Sequence, residues 1–190
     1  MRVLIVDESR ERAETLREGL ELAGYEVTAV LSTALELMKA VKRFAPDIII
    51  IDTDSPSRDV LEHVVMVSRD RPRPIVMFAN DGESDTIREA VRAGVTAYIV
   101  DGLDVARVKP IVEVAVARFE THQALREQLA EANLKLSERK LVERAKGILM
   151  KTRSVDEEEA YAMLRKLAMS RSKKLADVAQ SVIDTASLLG

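Results

Sequence analysis

The isoleucine run at residues 48–51 constrains the fold of this chain more than any other stretch; Pro46-Asp47 opens it and Asp52 closes it. Side chains alternate between faces along a strand. A run that is apolar at every position therefore belongs to a strand buried on both faces, as in a parallel sheet covered by helices on each side. The flanking chain agrees. Residues 3–6, 26–30, 74–78 and 97–100 read as further strands, and apolar residues at helical spacing fill the intervals at 13–22, 34–44, 60–67 and 85–93. Gly24 and Gly94 stop the first and last of these helices. Residues 1–108 are thus expected to form an α/β domain, a doubly wound five-stranded parallel sheet.

Ligand sites in such sheets lie at the carboxyl ends of the strands. Asp7, Glu8 and Asp52 fall there, with Asp54 close by, and hard oxygen donors at one edge suit a weakly held Mg²⁺. No other metal or cofactor is expected. The chain has no cysteine, so disulfides and thiolate metal sites are excluded, and His63 and His122 alone do not make a histidine metal centre. There is no phosphate-cradling glycine loop and no nucleophile paired with a base, which argues against an enzyme. The first residues lack the pattern of a signal peptide and no apolar run is long enough to cross a bilayer, so a cytoplasmic protein without membrane association is expected.

From Val105 a helical pattern runs with few breaks to Met150. Within it Leu125, Leu129, Ala132 and Leu136 are spaced 4, 3 and 4, the seam of a coiled coil, with Ala115 and His122 extending it upstream. Residues 109–136 are read as a coiled-coil linker helix that pairs two copies in a homodimer; the competing reading folds the strip back on its own chain. Charge divides along the same line. Residues 1–110 carry 15 Lys/Arg against 20 Asp/Glu, whereas residues 137–190 carry 11 against 8. The basic tail points to a polyanionic partner.

Residues 137–190 read as a small bundle of three helices. Leu141, Ala145, Ile148 and Leu149 form the packing stripe of the first, which leaves Lys140, Arg144, Lys146 and Lys151 as a cationic surface. Gly147 interrupts that helix, and close packing of a neighbouring helix or close approach of a ligand backbone would account for it. Ser154 and the acids at 156–159 suggest a capping box for the second helix, with Ala160, Met163, Leu164, Leu167 and Ala168 inward. A basic turn at 170–174 leads to the third. RNA loops are bound by stacking on aromatic rings, hydrogen bonds to base edges and cations on phosphates. Arg144, Lys146, Lys151, Tyr161, Arg165, Arg171, Lys173 and Lys174 can supply those groups. Tyr161 is equally able to serve as core, and Lys140 and Lys166 as solvated surface.

Three resemblances sharpen this reading. Asp7-Glu8 after the first strand and Asp52 followed by Pro56 resemble the acidic pocket and phosphoacceptor of response-regulator receiver domains, which implies that Asp52 is the phosphoacceptor equivalent and that Asp7 and Glu8 help hold a metal. The chain departs from that pattern with Ala79 where receivers carry Ser or Thr, and with Asp101-Gly102 where they carry Lys. It is therefore expected to be a pseudo-receiver in which Asp52 is not used. The segments ERKLVERAKGILMK and DEEEAYAMLRKLAMSRSKKLADVA resemble the ANTAR domain, the RNA-binding module of transcription antiterminators. IDTDSPSRDVLEHVVMVSRDRPRPIVMFAND, GVTAYIVDGL and VAVARFETHQALREQLAE resemble the NasT branch, which regulates nitrate and nitrite assimilation.

These resemblances imply a protein that binds hairpins in nascent leader mRNA as a dimer, prevents terminator formation, and is held inactive by a NasS-like nitrate/nitrite sensor. Nitrate is implied by the resemblance alone. The alternatives are a phosphorylation-activated ANTAR response regulator of another pathway and a DNA-binding two-component response regulator. Basic residues spread over two helices and a turn count against a single recognition helix in a DNA groove.

Overall fold

The computed structural model describes residues 1–100 and 105–189, without the side chains of 105, 188 and 189. Asp101 and Gly102, expected at the rim of the acidic pocket, lie outside the described residues. The elements run β1 (Arg2–Asp7), α1 (Arg10–Leu22), β2 (Glu26–Leu31), a 3₁₀ turn (Ala34–Glu36), α2 (Leu37–Phe44), β3 (Ile48–Thr53), α3 (Arg58–Asp70), β4 (Ile75–Ala79), α4 (Ser84–Ala93), β5 (Ala97–Val100), α5 (Val105–Arg153), α6 (Glu157–Ser170) and α7 (Leu175–Leu189). The five strands are all parallel in the order β2-β1-β3-β4-β5.

The isoleucine run explains the layering. Ile49 and Ile51 join Leu4, Val6 and Met77 under α2, α3 and α4, while Ile48 and Ile50 join Val3, Ile5 and Phe78 under α1 and the start of α5. Each fully buried aliphatic side chain contributes about 1.5–3 kcal/mol, so β3 carries an unusual share of the stability. The helices are stopped by local chemistry. Gly94 ends α4 with φ 113°, and a Cβ there would collide with the Ser68 hydroxyl, so the α3–α4 contact requires glycine. The helix expected over 34–44 begins instead as a 3₁₀ turn, where the Thr33 hydroxyl accepts a hydrogen bond from the Leu35 N–H.

The chain divides into two compact units, Met1–Gln123 and Ala124–Gly190. The division lies within α5. The linker expected from residue 109 starts too early, because Val108, Val112 and Ala115 are buried in the core of the first unit against the sheet. Ala115 therefore cannot extend an exposed seam, as its spacing from Leu125 had suggested.

The second unit consists of the remainder of α5 with α6 and α7, packed around Ala145, Leu164, Ala168, Val178, Ala179 and Ile183. Leu141, Ile148 and Leu149 join that core as expected. Met163, expected inward, is exposed. The capping box is displaced by two residues: Ser154 has φ 53°, and Asp156 caps α6 by accepting a hydrogen bond from the Glu159 N–H at 2.8 Å. At the other end of α6, Lys173 N–H donates to the Ala168 carbonyl and Ser172 N–H to that of Met169. That pair of bonds, with Ser172 at φ 49°, is a Schellman closure.

Candidate nucleic-acid interface and the acidic pocket

In a sheet of this strand order the topological switch point lies between β1 and β3, and the crevice opens at their carboxyl ends. Asp7 and Asp52 are register partners at that point, and both are buried. No sequence pattern pointed to their partner. Arg12, in the first turns of α1, lies 3.1 Å from Asp7 (Nη2 to Oδ1), 3.6 Å from Asp52 (Nε to Oδ2) and 3.2 Å from Asp54 (Nη1 to Oδ1). The Ser9 hydroxyl caps α1 by accepting from the Arg12 N–H, and the Ser9 N–H donates to Asp7 Oδ1 at 2.7 Å, so the turn that starts the helix fixes the arginine over the pocket. The bond to Asp7 raises the pKa of the guanidinium.

Burial, followed by the charge of Asp7, pushes the Asp52 carboxyl up to about 6 against the pull of Arg12. Asp7 Oδ2 and Asp52 Oδ2 have no hydrogen-bond partner among the described residues. The structure does not assemble the trio expected to share Mg²⁺. Glu8 follows the end of β1 and is exposed, and no group of three or more acidic or histidine side chains among the described residues is arranged to hold a metal ion. Arg12 offsets only part of the charge of Asp7, Asp52 and Asp54, but with Glu8 exposed the described residues do not present the expected ligand trio. Ala79 ends β4 fully buried and offers no hydroxyl. Asn80 donates instead to Asp54 at 3.1 Å.

In the helical unit the expected cations separate into two groups. Lys146 does not belong to a cationic surface. Its side chain is only 9% exposed, and its ammonium lies 2.6 Å from Glu157 and 2.9 Å from Glu143. It ties the end of α5 to the first turn of α6. The bond to Glu157 raises the lysine pKa, and the same bond lowers that of the glutamate. Arg144, Lys151, Arg165, Arg171, Lys173 and Lys174 are all exposed, and none forms an ion pair among the described residues.

Tyr161, 43% exposed, resolves toward the surface. It lines a shallow groove on α6 with Ala162, Arg165, Lys166, Met169 and Ser170. Residues four apart lie one above the other on a helix, so Tyr161, Arg165 and Met169 make one stripe: an aromatic ring, a guanidinium and a thioether in line. Met169 belongs to this surface and was not foreseen, its i+4 spacing from Arg165 being the available signal; Lys166, read as solvated surface, also lines the groove. The groove can offer stacking and cationic contact together, and the Schellman closure places the cations at 171, 173 and 174 at its end. Leu125, Leu129, Ala132 and Leu136 are all exposed, Leu129 to 63%, and none of the described residues covers them.

Known proteins agree with this division. Residues 3–113 match the response regulator receiver domain family and residues 127–183 the ANTAR domain family. The transcriptional regulatory protein PdtaR of Mycobacterium tuberculosis is 32% identical over 184 residues, covering 97% of this chain and 90% of that protein. The nitrate regulatory protein of Klebsiella oxytoca is 38% identical over 66 residues, 35% of this chain and 17% of that protein. A signal receiver domain of a modulated diguanylate cyclase from Desulfovibrio desulfuricans superposes with a TM-score of 0.56 at 24% identity, covering 64% of this chain and 97% of that structure, which establishes the shared fold. Fold and pocket define a receiver module joined to a helical effector. The chain belongs to the ANTAR-containing response regulators, whose full-length relative PdtaR is a transcriptional regulator. No described helix is long and apolar enough to cross a membrane.

Proposed function

We propose that this protein is a cytoplasmic, non-catalytic RNA-binding antiterminator that captures hairpins in nascent leader mRNA through the helical unit and thereby prevents a terminator from forming. The observation that carries this reading is the α6 stripe of Tyr161, Arg165 and Met169 beside the basic turn. Aromatic and cationic groups presented together, with no acidic partners among the described residues, suit unstacked loop bases and their phosphates. The exposed strip of Leu125, Leu129, Ala132 and Leu136 supports a homodimer, which would present two such surfaces.

Control by protein sequestration, through a NasS-like nitrate/nitrite sensor, is favoured over phosphorylation. Arg12 already pairs with Asp7, Asp52 and Asp54, and Ala79 supplies no phosphate-holding hydroxyl. The likeness to a nitrate regulatory protein supports nitrate or nitrite assimilation genes as the target. The test is binding of a leader hairpin and of its duplex DNA counterpart at matched salt. The hairpin is expected to bind at least about a hundredfold more tightly, and equal binding would favour a DNA-binding regulator. Asp52→Asn is expected to leave induction intact; its loss would return control to phosphorylation. Leu129→Lys is expected to give monomers by light scattering.

A further inference from the structure

Gly147 sits inside α5, where a glycine destabilises a helix relative to alanine. The fold supplies no reason for it. A Cβ built at this position meets no atom within 4 Å, so no neighbouring helix of the unit packs there. The packing explanation is thereby removed, and what remains is a stretch of bare helix backbone open to something outside the unit.

Its surroundings identify the visitor. On a helix, position 147 borders 143, 144, 150 and 151. Arg144 and Lys151 are exposed and form no ion pair among the described residues, whereas the acid on this strip, Glu143, is matched by Lys146 at 2.9 Å. The strip therefore presents unmatched positive charge on either side of a gap in the side-chain layer. We propose that the sugar–phosphate backbone of a bound RNA lies directly against α5 at Gly147, with Arg144 and Lys151 flanking it. This rests on the RNA-binding reading and adds a second contact surface to the α6 groove.

The experiment pairs affinity with thermal stability in the full-length chain, using the leader hairpin as probe. Gly147→Ala is expected to keep or raise the melting temperature, by a few degrees, while weakening RNA binding about tenfold; Gly147→Leu weakens it further. If the wild-type chain does not bind the hairpin, the RNA-binding reading fails. If the wild type binds and Gly147→Ala binds equally well, that reading survives and this inference is overturned. A lower melting temperature would also overturn it, since the fold would then need the glycine. So would a changed monomer–dimer equilibrium by light scattering with RNA affinity unchanged, which would assign the strip to a second copy.

Discussion

The two units treat charge in opposite ways. At the carboxyl edge of the sheet, three acids converge on a single arginine from the same unit, which offsets only part of their charge. On the helical unit Lys146 pairs with Glu143 and Glu157 and Lys135 with Glu131, whereas the cations around α6 and the turn after it have no acidic partner among the described residues. The unmatched positive charge that the proposed polyanionic ligand needs lies on the helical unit, although the acidic pocket is the more conspicuous feature of the sequence.

The largest effect is expected where the charge is unmatched. Replacing Arg171, Lys173 and Lys174 together with alanine should weaken hairpin binding about a hundredfold or more and make the dependence on log salt shallower by about 2, measured by titration at several salt concentrations. An unchanged salt dependence would break the comparison.

Next comes the pocket. The folded chain holds the Asp52 proton more tightly than the unfolded chain does, so this group favours folding below about pH 4, and that contribution is lost as pH rises through about 6. Asp52→Asn should therefore stabilise the receiver unit at pH 8, by about 2 kcal/mol, and have little effect near pH 4, as read from urea unfolding at the two pH values. Arg12→Ala removes the internal counterion. Because that arginine is 39% exposed, solvent screening limits the expected loss to about 1 kcal/mol at pH 7. RNA affinity should be unchanged. The smallest effect is at the turn: Ser172→Gly relieves a left-handed backbone and should stabilise the helical unit by about 0.5–1 kcal/mol without altering its salt dependence.

The sheet was legible because the isoleucine run admits one environment, and Asp7 and Asp52 were legible because strand ends gather at one edge. Arg12 was not, since its role depends on the path from β1 into α1 and on the Ser9 cap, which no periodicity records. Lys146 was misread for a related reason. Helical spacing puts it beside the buried Ala145 without saying which way it turns, and the acid that claims it, Glu157, belongs to the next helix. Gly147 was flagged by the sequence for its cost to the helix, but only coordinates could remove the neighbour that would have explained it. The seam at Leu125, Leu129, Ala132 and Leu136 was visible as a pattern, whereas the burial of Ala115 required knowing how far α5 lies along the sheet.

The closure of α6 has a consequence for the kinetics of capture. Two main-chain hydrogen bonds hold the peptide from Ala168 to Lys173 before any ligand arrives, so Arg171, Lys173 and Lys174 extend from an anchored base and only their side chains must be immobilised. On the proposed function, a transcript emerging for a short time between polymerase and terminator would meet a corner already in its final backbone shape. Capture would then run at the pace of electrostatically guided encounter, without waiting for a loop to order.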